Sequence, residues 1–241
     1  MINNIYIKIL YYFIGIIDLK NKLKIKNFFL KKFNRKEIIL FDIGAHKGET
    51  IDFFTKFFNI KKIFAFEPNY NIFLKIRRKY YKKDKIKIYN FGVGDFEYEK
   101  KLNIFNDTSS STFTELNENT KYFKRKNRIF NLLKKEEFNE AKNIKIISLN
   151  KFLEENHLEK VDILKIDTEG YEYKILKGLS EKNFAKVKFI YFEHHYDLML
   201  KKNYTFFQIK SLLEKNNFEK VYKIKMSFRK TFEYIYENKS V

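Results

Sequence analysis

Phe41-Asp42-Ile43-Gly44-Ala45-His46-Lys47-Gly48-Glu49-Thr50 joins two different periodicities. A continuous apolar run, Ile38–Ile43, leads into it, and a helical pattern continues to about Phe58. A strand apolar on both faces, turning over glycines into a helix, opens a parallel α/β unit. The alternation recurs along the chain. Lys62–Phe66 precedes a helical stretch from Asn69 to about Tyr81, and Ile86–Phe91 ends at Gly92-Val93-Gly94-Asp95. Val161–Ile166 precedes a helix near Tyr171–Lys177, and Val187–Phe192 precedes one near Phe206–Asn216. This order predicts an α/β, Rossmann-like fold with a mainly parallel, doubly wound sheet. Phe218–Tyr222 and Phe228–Tyr236 leave no room for a helix between them. They predict a C-terminal antiparallel hairpin at the sheet edge.

One region breaks the alternation. Glu97–Phe105 reads as an extra strand or hairpin arm, Asn106–Thr112 as a polar loop, and Lys121–Asn143 as a basic, partly helical stretch. Ile144–Ser148 reads as a short strand and Leu149–Asn156 as a short helix. We read residues 36–241 as one domain carrying an insertion at about 97–143, preceded by an N-terminal helical segment, 1–35. Within that segment Ile5–Ile17 is apolar but contains Lys8. It is too short for a comfortable membrane span and lacks a small-residue cleavage site. A helix packed on the domain is the favoured reading, and an interfacial membrane helix the alternative.

The 241 residues carry a net charge of +20, which invites a nucleic-acid partner. Yet only six of the 50 basic residues are arginine, and lysine travels with abundant Asn, Ile, Phe and Tyr. An AT-rich coding bias produces that set, so no specific nucleic-acid partner is assigned. Cysteine is absent, which excludes disulfides, thiolate metal sites and a cysteine nucleophile. A cytoplasmic location is expected, with peripheral membrane contact through the N-terminal segment as the alternative.

In open α/β sheets, ligands bind beyond the carboxyl ends of the strands. Here those ends are acidic: Asp42, Glu67 in Phe66-Glu67-Pro68-Asn69, Asp95, then Asp167 and Glu169, then Glu193 before His194 and His195. Carboxylates in a cleft need a partner, and a cationic or hydroxyl-rich ligand supplies one. The first turn is a poor dinucleotide fingerprint, since G-x-G-x-x-G would need a glycine at Asp42 and one residue fewer before Gly48. Asp42-x-Gly44-x-x-x-Gly48 instead suits a loop passing an amino-acid-like tail, and Glu67 suits two ribose hydroxyls. The combination fits S-adenosylmethionine, whose sulfonium and ammonium are cationic and whose ribose is free.

Several runs closely resemble the FkbM family of methyltransferases. They are Phe41–Thr50, Phe64-Ala-Phe-Glu-Pro-Asn69, Asn90-Phe-Gly-Val-Gly-Asp95, Ser148-Leu-Asn-Lys-Phe-Leu153, Val161-Asp-Ile-Leu-Lys-Ile-Asp-Thr-Glu-Gly-Tyr-Glu172 and Phe192-Glu193-His194. The resemblance spans roughly residues 38 to 195. It implies a class I methyltransferase fold, S-adenosylmethionine as donor, and O-methylation of a sugar or other small hydroxylated metabolite. By position it implies that Asp42, Gly44 and Gly48 shape the methionine end of the cofactor site, with His46 and Pro68 in the same turns. Glu67 would hold the ribose, and Gly94 and Asp95 would lie by the adenine. His46 stands where the family often has asparagine.

Methyl transfer is an in-line displacement, so the enzyme mainly aligns donor and acceptor. A hydroxyl acceptor gains from a positioned base. Asp167 and Glu169 are the leading candidates. Lys165 would face the same side of its strand as Asp167 and hold that carboxylate ionised, and His194 is a second candidate base. His195 reads as a structural neighbour. Asp167, Glu169 and Glu193 offer oxygens that suit magnesium, but strand-end carboxylates more often orient an acceptor, so a divalent metal is not expected. Ser109, Ser110 and Ser111 lie in a loop that would cover the cofactor or meet the acceptor. Two other readings remain at this stage: an RNA methyltransferase, and a non-catalytic protein that binds a membrane surface.

Overall fold

The computed structural model describes residues 20–105, 111–115, 117–120, 123–124, 138–226 and 230–241. Ile5–Ile17, Ser109, Ser110 and residues 125–137 of the basic stretch lie outside these.

The central sheet has seven strands in the order β3-β2-β1-β7-β8-β10-β9. They are β1 (Ile38–Ile43), β2 (Ile60–Phe66), β3 (Ile86–Tyr89), β7 (Val161–Ile166), β8 (Val187–His195), β9 (Phe218–Lys225) and β10 (Thr231–Asn238). β1 pairs in parallel with both β2 and β7, and β7 in parallel with β8. The chain starts in the middle, runs outward to β3, and returns beside β1. The order therefore reverses between β1 and β7, which opens a crevice at their carboxyl ends.

The C-terminal hairpin differs from expectation in its placement. β10 inserts between β8 and β9 and runs antiparallel to both, so β9 takes the edge. One strand of the seven is reversed. A hairpin forces its second strand to lie antiparallel beside the first, and β10 buries Tyr234, Ile235 and Tyr236 whereas β9 is half exposed. The more apolar arm takes the inner position.

The run Ile86–Phe91 is not one continuous strand leading to Asp95. Asn90 breaks it, donating its side-chain amide to the Glu67 and Pro68 carbonyls at 2.9 and 3.1 Å. Gly92–Gly94 then forms β4 of a separate three-stranded sheet, ordered β4-β6-β5, with β5 at Tyr98–Phe105 and β6 at Phe138–Ser148. A Cβ on Gly92 would come within 2.5 Å of Ile146, so only glycine allows β4 to press on β6. Residues 138–143, read as part of a partly helical stretch, are the start of β6. Their pairing with β5 is antiparallel.

Strands buried on both faces explain the unbroken apolar runs. On β1, Ile38 and Leu40 face one core with Ile25, Phe29 and Phe33 of the helix over residues 20–33, and with the helices Glu49–Phe57 and Tyr70–Tyr80. Phe41 and Ile43 face the other core, shared with the helices Leu149–Glu155, Glu172–Lys177 and Phe206–Lys215. Phe29 lies fully buried, its ring 5.6 Å from Phe189 and 5.8 Å from Phe54. Burying such a side chain stabilises by about 1.5–3 kcal/mol. Among the described residues no helix is long and apolar enough to cross a membrane.

Candidate active site

The turn after β1 is built by close approach. Gly44 has φ +86°, and a Cβ there would lie 1.9 Å from the Asp167 carbonyl oxygen. The turns after β1 and β7 are thus pressed together. Gly44 and Ala45 both donate their N–H to the Phe66 carbonyl at 3.0 Å, and Asp167 N–H donates to Ile43 O at 2.9 Å. Gly48, at φ +84°, caps the helix Glu49–Phe57 under the Tyr80 hydroxyl, which a Cβ would approach to 2.5 Å.

This turn frames a cavity of about 440 Å³, within the range of small-molecule sites. Its lining includes Gly44, Ala45, His46, Glu67, Pro68, Phe91 and Val93, with Ser111, Thr112 and Phe113. It also includes Lys165, Asp167, Glu169, Tyr191, Glu193 and Glu233, with Asn21, Lys22 and Ile25 from the helix over residues 20–33.

Glu67 is buried, and each of its oxygens already accepts one backbone N–H, from His46 at 2.8 Å and from Asn69 at 2.8 Å. A carboxylate offers about four acceptor sites, so its remaining lone pairs are free for hydroxyls in the cavity. Burial pushes its pKa up to about 7, against the two N–H donors. His46 contributes its backbone; its φ of +45° turns that N–H toward Glu67, while its ring sits 3.3 Å from Glu49. Asn69 caps the helix Tyr70–Tyr80 and donates to Ser111 Oγ at 3.3 Å, tying Ser111 to the turn after β2.

Asp42 lies beneath the cavity floor, fully buried. Its oxygens lack a well-formed hydrogen bond, with the Thr50 side chain as a weak neighbour. Burial raises its pKa to about 7, and the charge of Lys165, its register partner on β7, opposes the rise. Lys165 donates to Asp167 Oδ2 at 3.0 Å and sits 4.7 Å over the Tyr191 ring. Tyr191 donates in turn to Glu233 at 2.5 Å.

Glu169 stands on a strained turn, at φ +51°, with its carbonyl held by the Thr112 hydroxyl at 2.8 Å. Its carboxylate lies 3.1 Å from His195 Nε2, and Glu193 lies 3.2 Å from the same nitrogen.

The structure thus gathers Gly44, His46, Glu67, Pro68, Lys165, Asp167 and Glu169 at one cavity, with Asp42 and Gly48 supporting it from behind. It does not bring Gly94, Asp95 or His194 there. β4 belongs to the second sheet, so Gly94 and Asp95 run against Gly178, whose Cβ would meet them at 2.6 and 2.7 Å. His194 points to the opposite face of β8, among Tyr196, Tyr204 and Phe206. Burial first, then the nearby Lys202 charge, lowers its pKa to about 3. Strand alternation carried the signal: if Glu193 faces the cavity, His195 shares its side and His194 does not. The contributions of Asn21, Lys22, Thr112 and Phe113 had no such local signal. Among the described residues no cluster of side chains is arranged to hold a metal ion.

Residues 42–220 match the profile of the methyltransferase FkbM domain. The chain belongs to this family. It carries a methyltransferase FkbM domain with the class I fold. Solved structures resemble this FkbM chain in fold. The crystal structure of methyltransferase FkbM from Methylobacillus flagellatus KT has a TM-score of 0.53 at 12% identity, covering 83% of this chain and 43% of that one. This FkbM chain therefore spans less than half of that protein. The fibrillarin pre-rRNA processing protein of Methanococcus jannaschii gives 0.49 at 12%, covering 86% and 69%. Magnesium protoporphyrin IX methyltransferase of Synechocystis PCC 6803, solved with bound SAM, gives 0.45 at 8%, covering 90% and 77%. Identities this low speak to fold alone. No curated protein matches the sequence.

Proposed function

We propose that this methyltransferase acts on a hydroxyl of a sugar or other small hydroxylated metabolite. The observation that carries the reading is one cavity lined both by the turn after β1 with Glu67 and by the carboxylates Asp167, Glu169 and Glu193. The donor set suits S-adenosylmethionine: Glu67 retains acceptor capacity for ribose hydroxyls, and the close-packed Gly44–Gly48 turn leaves its backbone facing the cavity. When bound, the cofactor supplies a methyl group on an electrophilic sulfonium. Lys165 sets the charge beside Asp167, with Asp42 buried as its register partner on β1. Asp167 and Glu169 accept or orient the proton of the acceptor hydroxyl, and Lys165 steers Asp167. The enclosing residues from the helix over residues 20–33 limit the water that reaches the reacting atoms.

The lysine-rich charge belongs to the surface in this reading, and the cavity's own lining is rich in carboxylates, which suits neutral or cationic acceptors better than a phosphate backbone. The test is transfer of isotopically labelled methyl from S-adenosylmethionine to a panel of free sugars, nucleotide sugars and short RNAs. Labelled sugar is the expected product. Exclusive labelling of RNA at physiological salt would replace this reading with the nucleic-acid one.

A further inference from the structure

We propose that His195 is a positioning residue of the transfer site: braced by Asp197 and Thr231, its ring holds the cavity-lining carboxylates Glu169 and Glu193 in place. This rests on the role given to those carboxylates above. His195 Nε2 lies 3.1 Å from Glu169 Oε2 and 3.2 Å from Glu193 Oε1. Nδ1 lies 3.2 Å from the Thr231 hydroxyl and 3.6 Å from Asp197 Oδ2. These partners come from the turn after β7, from β8 and its exit, and from β10. A histidine that merely fills space needs no carboxylate on both edges. Nε2 makes no well-aligned hydrogen bond to either carboxylate, so the ring acts on them by charge: carboxylates near both of its edges favour the imidazolium over the neutral ring.

The electrostatics agree with the geometry. Burial opposes charge on His195, but Glu169 foremost, then Asp197 and Glu193, outweigh it and raise its pKa well above the ordinary value. The influence is mutual. Burial and the Asp167 charge push the Glu193 pKa up, and His195 pulls it down. Two further charged groups face this cluster: Glu233, register partner of Glu193 on β10, and Lys202, whose ammonium donates to the His195 carbonyl.

Glu169 gives the clamp its purpose. Its left-handed backbone is costly for a non-glycine residue and persists only where the surroundings hold it. The Thr112 and Thr114 hydroxyls hold the carbonyls of Glu169 and Gly170, at 2.8 and 3.2 Å. They fix the backbone end of Glu169, and His195 fixes its carboxylate.

The first measurement needs no acceptor: ¹⁵N NMR of the His195 ring in the full chain across pH 6 to 9. Both nitrogens should be protonated at pH 7.5, and Glu169→Gln should lower the ring's titration midpoint by roughly one unit or more, with the range extended upward until the wild-type ring titrates. A ring carrying one proton at pH 7.5, or a midpoint unmoved by Glu169→Gln, overturns the proposal. This result stands even if the sugar reading fails in the acceptor screen. With any acceptor from that screen, His195→Gln should lower kcat roughly 10-fold to 10²-fold through misplacement. The affinity for S-adenosylmethionine should stay within about twofold, and the acid limb of the kcat–pH profile should move upward as Glu193 loses its cation. A kcat and pH profile equal to wild type overturns the proposal. If His195→Gln does not fold, Asp197→Asn and Thr231→Val keep the ring and loosen its brace, and the same kinetic and pH readouts decide.

Discussion

Lys165 Nζ lies 3.0 Å from Asp167 Oδ2, two residues along the chain, and it is buried while Asp167 reaches the open cavity. Its register partner across β1 is Asp42, fully buried. One lysine thus serves two carboxylates at different depths. Removing one partner of a buried ion pair costs about 3–5 kcal/mol. Asp167 is over a third exposed and screened by solvent, so Lys165→Met should fall short of that loss at pH 8, and lose less still at pH 6, where Asp42 escapes its burial cost by taking up a proton. Urea denaturation at the two pH values measures the difference. Adding Asp42→Asn to Lys165→Met should recover part of the loss at pH 8.

Glu67 should hold the cofactor ribose. Glu67→Ala is expected to weaken S-adenosylmethionine binding by about 1.5–3 kcal/mol, the range for hydrogen bonds to a charged group. Titration calorimetry on the folded variant reads this directly, and unchanged affinity would remove Glu67 from the site.

The raised pKa values of Asp42 and Glu67 carry a pH signature. Both rise on folding, from 3.8 and 4.5 to about 7. The ligand-free native state therefore binds more protons than the unfolded chain between about pH 4 and 7. The stability these groups contribute is fully present below pH 4 and fades as pH rises through 7. A cationic cofactor favours the ionised carboxylates. S-adenosylmethionine should thus bind with proton release and more tightly at pH 8 than at pH 6. Calorimetry in buffers of different ionisation enthalpy counts the protons; zero release at pH 7 would contradict the assignment.

Asp167 and Glu169 should carry the acceptor chemistry. Asp167→Asn or Glu169→Gln is expected to lower kcat by roughly 10²-fold or more, the lower range of general-base catalysis, while cofactor affinity changes little. If both variants turn over a verified acceptor at the wild-type rate, neither is the base.

His194 should behave as a core residue. Its pKa falls from 6.5 to about 3 on folding. Its contribution to stability is present above pH 6.5 and is lost as pH falls toward 3. His194→Phe keeps an aromatic ring among Tyr196, Tyr204 and Phe206 and removes that proton uptake. Its melting temperature should fall less than wild type between pH 7 and 5.

Asp42, Glu67, Asp167, Glu169 and Glu193 were legible at the carboxyl edge because they follow apolar runs, and the end of a parallel strand is where a turn must face solvent or ligand; Asp95 was not, because it follows β4 of the second sheet. Gly44 was equally legible. His194 was read as a second candidate base after Asp167 and Glu169, and His195 as a structural neighbour; strand alternation places the two on opposite faces of β8. The second sheet was not legible. Gly92–Gly94 looks like the tail of β3 until Asn90 is seen bonded across to Glu67 and Pro68.

By itself the sequence determined the strand-to-helix units, the acidic turns and the glycines. These depend on steric limits and hydrophobic period within a dozen residues. Only the tertiary structure decided which distant side chains share the cavity. It set Lys165 beside Asp42 and Asp167, Thr112 on the Glu169 carbonyl, His195 between Glu169 and Asp197, and Asn21 on the Lys225 carbonyl. Those meetings depend on sheet order, register and the packing of segments up to two hundred residues apart. Local propensity does not encode that packing; the burial of both sheet faces selects it.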